Sequence, residues 1–253
     1  NLSASGTGGF ETGSFLGINV ATNDAVAVST ALTDGGDAEV IGLVKAGAGT
    51  LALSGANTYS GGTTISAGTL QLNPATGVTS TLSGVISGAG TLLKDGDGTL
   101  VLSGNSTLTG TTSLTTGTLQ LSQGDELSSS AFSFTGGTLD TGTNSTLTFG
   151  SLSGDQDITM NGAGDGTQRM QLVVGGNNTD TTYSGDLTGS SATPSSAGLT
   201  KNGTGTFTMT GTSSFSGTFK INDGTVVGTG ASFGNTWLNN EGTARFDLGE
   251  DYS

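Results

Sequence analysis

One run of residues is written three times in this chain, and that repetition limits the fold more than any single residue does. It reads KAGAGTLALSG at 45–55, NTYSGGTTI at 57–65 and GTLQL at 68–72. It returns as KDGDGTLVLSG at 94–104, TLTGTTSL at 107–114 and GTLQL at 117–121. A looser copy runs KNGTGTFTMTG at 201–211, FSGTFKI at 215–221 and GTVV at 224–227. Self-similarity of this kind marks a solenoid, in which each coil buries its apolar face only by stacking on its neighbours.

Within each copy the apolar residues stand two apart, as in Leu51/Leu53, Leu70/Leu72, Leu100/Leu102 and Leu119/Leu121. That spacing puts both on one face of a short strand. No helical i, i+3, i+4, i+7 stripe runs over a useful window, and Gly, at 47 residues, is too common for helices. A sandwich has no reason to repeat its own wording, because each of its strands meets different neighbours. The expected fold is therefore all-β, a right-handed parallel β-helix. The first two copies lie 49 residues apart. Read as two coils of roughly 20–25 residues, that offset stacks Leu51, Leu100 and Phe207, and likewise Ile65, Leu114 and Ile221. The whole chain then makes about 10–12 coils.

The string GAGTLALSGANTYSGGTTISAGTLQL, Gly47 to Leu72, resembles the autotransporter-associated β-strand repeat of bacterial secreted passenger domains. The likeness is close at 45–72, good at 94–121 and loose at 201–227. It implies the right-handed parallel β-helix and a place outside the cell, extracellular or on the cell surface. It implies no activity, since that repeat is scaffold and carries no catalytic residues to transfer.

The formal net charge is −14 with six Lys and Arg, which disfavours nucleic acid and anionic membrane surfaces as partners. There is no Cys and no His, which excludes thiol nucleophiles, disulfides, Ser-His-Asp triads and zinc sites built on those residues. No run of 18 apolar residues exists, so membrane insertion as a helix is not expected. The start at Asn1, without Met or signal peptide, reads as a mature, processed segment. Lys45, Lys94 and Lys201 hold one equivalent repeat position, and the expected setting is a solvated face or a turn charge facing aspartates.

Three regions are expected: 1–40, an N-terminal strand segment; 41–227, the solenoid repeats; and 228–253, a C-terminal aromatic cap or docking segment containing Trp237, the only Trp. Residues 15–32 form the longest alternating stretch. Two accounts of it stay open: a cap on the chain's own first coil, or a strand donated to another subunit. In the second, Ile18, Val20, Val26 and Val28 are the assembly residues, with Trp237 at the other end. Over 122–182 the idiom persists but the register drifts, so coils there should vary in length.

Candidate chemistry is sparse. Asp155/Asp157 and Asp95/Asp97 are i, i+2 pairs at a separation of about 6.6 Å on a strand, near the range an inverting glycosidase uses. Asp95 and Asp97, however, sit among turn glycines, and no enzyme activity is expected. The Asx-rich turns around Asp165 and Asp180 offer oxygen ligands suited to calcium, without matching the nonapeptide calcium repeat or an EF-hand loop. Calcium is the one cofactor weighed. Thr positions drift between the copies, which argues against a flat threonine array of the ice-binding kind. The functional expectation is an extracellular structural protein whose solenoid subunits self-associate end to end into a surface fibre. The alternative is an adhesin fragment of an autotransporter passenger that contacts a surface glycan or host surface.

Overall fold

A computed structural model gives the conformation of residues 11–35, 40–160, 170–189, 197–215, 217–233, 237–240 and 242–246. Contacts divide the chain into two compact units, Asn1–Glu126 with Gly136–Asp140, and Leu127–Thr135 with Thr141–Ser253. Both are built from short parallel strands stacked coil on coil, and the only described helix is a single turn, Gly230–Phe233. The fold is a parallel β-helix.

In the first unit the chain turns from face to face. The first face holds β1 (Ser14–Asn19), and β2 (Ala25–Val28) opens the second. The next coil adds β3 (Ile41–Ala46) to the first face and β4 (Thr50–Leu53) to the second. Then β5 (Thr63–Ile65), β6 (Thr69–Leu72) and β7 (Thr79–Leu82) fill three faces in turn. The order repeats as β8 (Ile86–Gly88), β9 (Thr91–Lys94) and β10 (Thr99–Leu102), and again as β11 (Thr107–Leu108), β12 (Thr111–Leu114) and β13 (Thr118–Leu121). The three sheets of this unit run β1-β3-β5-β8-β11, β2-β4-β6-β9-β12 and β7-β10-β13 with Thr138–Asp140. All the pairings with a described register in this unit are parallel and in step, for example Leu51 on Leu70 on Leu92.

The alternating leucines of the repeat point inward. Leu51, Leu70, Leu72, Leu100, Leu114, Leu119 and Ile65 are fully enclosed, and so are Phe207 and Ile221 in the second unit. Each sheds its apolar area onto the equivalent side chain one coil away, which is worth about 1.5–3 kcal/mol per residue.

The stacking differs from the expectation in one respect. Leu51 stacks on Leu70 and Leu92, not on Leu100. Leu100 stacks on Ser80 and Leu119, and Ile65 on Lys45 and Gly88. A coil in this unit takes 19 to 22 residues, as the pairs Leu51/Leu70 and Leu70/Leu92 give. Leu92 is therefore two coils past Leu51, and the second copy, 49 residues on at Leu100, overshoots onto the next face. Repeat copies are rotated by one face rather than superposed. This is possible because every face asks the same of its strand, which is inward residues two apart after a glycine corner. The same rotation explains the apparent drift of the threonines. Read along a sheet instead of along the copies, Thr79, Thr99, Thr118 and Thr138 form one unbroken column. The adjacent outward column, Thr81, Val101, Gln120 and Asp140, is mixed, so no flat threonine array results.

The second unit keeps the plan with longer coils. Leu147 pairs with Leu172 and Leu172 with Leu199, spacings of 25 and 27 residues, before the repeat at 199–227 returns to 20 between Leu199 and Phe219. Its strands Gln171–Val174, Gly198–Lys201, Thr218–Ile221 and Trp237–Asn240 follow one another in one sheet path. Thr206–Met209, Thr225–Gly228 and Thr243–Phe246 follow one another on the other. Phe132 stacks on Phe149 with ring centroids 4.5 Å apart, filling the coil where the strands lengthen.

Residues 15–32 are not one strand. A corner at Val20–Asp24, with Asn23 in the left-handed region at φ 67°, splits them into β1 and β2 on different faces. Both strands lie in register on the chain's own next coil, Ile18 opposite Lys45 and Val26 opposite Leu51. Val20 is buried at the corner, while Ile18 and Val28 are half-buried and Val26 is 39% exposed.

Candidate functional site

The repeat's invariant features converge at one corner of the coil, and their geometry is that of a staple. Lys94 ends β9 at an inward position, between Leu72 of the coil before and Leu114 of the coil after. It is completely buried. Its ammonium donates to the carbonyls of Gly96 at 2.6 Å and Thr116 at 3.0 Å. The second of these belongs to the next coil, so one side chain ties two coils together. Lys45 does the same, donating to Ala46, Gly47 and, across the coils, Ala67 at 3.0, 2.7 and 3.1 Å. Lys201 donates to Asn202 and Gly203 at 2.6 Å each, and to Asp223 of the following coil at 3.4 Å. The expected solvated face is thus corrected: these three lysines point inward, where the alternation of their strands sends them. Corner carbonyls that no ladder uses would otherwise be orphans, and the three ammonium donors satisfy them.

The glycines of the motif make room for the staple. Gly96 has φ 89° and Gly117 has φ 68°, conformations that cost an L side chain energy. A Cβ on Gly117 would lie 2.5 Å from Lys94 Nζ and closer still to the Gly96 carbonyl. Burial pushes the lysine pKa values below the ordinary range, and for Lys94 the charges of Asp95 and Asp97 partly restore it.

The carboxylates and carboxamides are spent in a similar way. Asp180 accepts from the Thr206 amide at 2.7 Å, Asp186 from Thr212 at 2.7 Å, and Asp157 from Asp186 at 2.8 Å. Each stands in for a backbone carbonyl between successive coils. Asp34 accepts from the Ile41 and Ser60 amides, and Asn57 from Leu32. Asp95 accepts from the Thr115 and Thr116 hydroxyls and the Gln71 amide. Burial raises the Asp34 and Asp95 pKa values, but these hydrogen bonds outweigh it, and both lie below the usual range.

Of the calcium candidates, Asp180 has one oxygen committed to Thr206, and Asp165 lies outside the described residues. Among the described residues no group of three or more acidic side chains gathers as a metal site would. Asp155 accepts from the neighbouring Gln156 side chain. Of the assembly candidates, Ile18, Val20, Val26 and Val28 come together on the first coil. Trp237 begins the outermost strand of its sheet in the second unit.

A family model described as passenger-associated-transport-repeat matches residues 43–72, 92–121 and 199–227, each window spanning one lysine, its glycine corner and the next coil's glycine. These three segments are passenger-associated-transport repeats. In all three the lysine staple falls at the same place, five residues ahead of the first corner-facing threonine strand at Thr50, Thr99 and Thr206. No curated protein and no solved structure matches the chain. The signal for the staple was present in the sequence: Leu92 and Lys94 share the parity of an inward pair. Charge alone argued for the surface.

Proposed function

We propose that the protein is an extracellular structural protein, a β-solenoid subunit that assembles end to end into a bacterial surface fibre or matrix. One observation carries this reading. The conspicuous polar side chains among the described residues are consumed in joining one coil to the next: lysines on carbonyls, aspartates and asparagines on amides. Chemistry spent on stacking builds a scaffold. The passenger-associated-transport repeats support export to the cell surface. Electron microscopy of the purified protein tests the reading. Filaments are expected, and dispersed particles at every concentration would refute the fibre.

The second reading, an adhesin fragment, has its own observation. Phe15 and Val85 are 55% and 47% exposed on one lateral column of the first unit, with only Gly42 and Gly62 between them. Neighbouring exposed apolar residues are the usual mark of a contact surface. Glycan-array binding lost on Phe15→Ser would favour it. Neither reading includes hydrolysis. A screen against acidic and neutral polysaccharides should show no turnover, and turnover abolished by Asp155→Asn or Asp157→Asn would revive the enzyme.

A further inference from the structure

We infer that the edge formed by β1 and β2 is the assembly face, and that its partner is a whole coil of a second copy of this chain rather than a single donated strand. The inference rests on the fibre reading and specifies its contact. Both strands are the outermost members of their sheets, and no described strand pairs with their outer edges. An open strand edge exposes backbone donors and acceptors to any chain able to pair. The side chains at this edge are also incomplete. Val26 is 39% exposed although its partner Leu51 is fully buried, and Val28 is half-buried over a fully buried Leu53. Leu16 is half-buried over the buried Leu43. These residues occupy the inward columns, and each lacks the cover that every coil deeper in the unit receives from the one before it.

The shape of the edge selects the occupant. β1 and β2 belong to different faces and meet at the Val20–Asp24 corner, so a straight peptide covers one of them and leaves the other bare. Covering both needs two strands joined by a corner, running parallel to β1 and β2. The far end of this chain has that form. Trp237–Asn240 and Thr243–Phe246 are parallel members of two adjoining faces, and no described strand pairs with their outer edges. The corner between them is shorter than Val20–Asp24. That is no obstacle, because Val20–Asp24 already stacks on the shorter corner Gly47–Gly49, with the Gly49 amide donating to Val20 O at 3.0 Å. Coil Trp237–Phe246 of one copy, laid on β1 and β2 of the next, continues both ladders. The two surfaces differ, so the contact is heterologous and does not close, and it propagates as a filament.

Sedimentation and electron microscopy of the full chain test this, with circular dichroism as the check on folding. The unaltered protein should form filaments above a threshold concentration. Val26→Lys with Val28→Lys puts two charges on the edge and should raise that threshold about tenfold or more while leaving the fold intact. Val85→Lys, on the lateral face, should leave assembly unchanged. Filaments indifferent to the edge pair but lost with Val85→Lys would overturn this inference and leave the fibre reading standing, with lateral association as its mode. A chain that stays monomeric without any substitution would overturn both.

Discussion

At the residue scale the buried lysine is the feature with the sharpest consequences. Lys94→Ala removes the donor for Gly96 and Thr116 and opens a cavity between Leu72 and Leu114. Thermal or urea unfolding should show a loss of roughly 3 kcal/mol. Lys94→Met fills the space and removes a buried charge, leaving only the carbonyls unpartnered, so it should cost clearly less. The ordering of the two variants is the test, and equal losses would mean the ammonium contacts contribute nothing. The same burial predicts reactivity. In the native protein Lys45, Lys94 and Lys201 should resist amine acylation while the part-exposed Lys220 is labelled, as peptide mapping by mass spectrometry would read. Gly117→Ala should cost at least about 2 kcal/mol, through a strained positive φ and a Cβ pressed on Gly96 O and Lys94 Nζ.

At the scale of the element, each strand is too short to stand alone and is held by the strands above and below. Leu102 in β10 is enclosed between Leu82 and Leu121. Leu102→Asp would bury a carboxylate with no partner in the middle of a three-coil column. The expected loss is more than about 4 kcal/mol, seen as a collapse of the thermal transition. A melt unchanged from the parent would remove Leu102 from the interior. Outward positions on the same strand behave differently. Val101 lies between Thr81 and Gln120, so polar substitution there should stay within about 0.5 kcal/mol.

At the scale of the molecule, stability should depend on pH in a way set by these buried groups. Asp34 and Asp95 have folded pKa values below 3.8, so they contribute stability above that pH and lose it as pH falls through their folded values. No His titrates between, so the urea midpoint should be flat over about pH 5 to 8. The lysines have folded values depressed below 10.5, so the unfolded chain holds more protons there and stability rises with pH toward that value. Tyr59 and Tyr183 oppose this above 10.0, because burial raises their pKa values and only the unfolded chain ionises. A midpoint that declined steadily from pH 5 to 8 would contradict this assignment of charges.

The sequence by itself determined the class of fold, the inward identity of residues such as Leu51, Leu100 and Ile221, and the irregular coil lengths between the second and third repeats. These follow from local rules: alternation decides which side of a strand faces in, and glycine decides where the chain turns. Which residues stack on which was decided only in three dimensions. The 49-residue repeat and the 19- to 22-residue coil are incommensurate, and the sequence displays the first period while the sheets obey the second. The inward lysines were hidden for a related reason. A charge is read as exposed unless its partners are known, and those partners are backbone carbonyls of a neighbouring coil about 22 residues away, such as Ala67 for Lys45 and Thr116 for Lys94. The long alternation of residues 15–32 likewise became two faces once a corner at Asn23 gave each half a strand of the next coil to lie on.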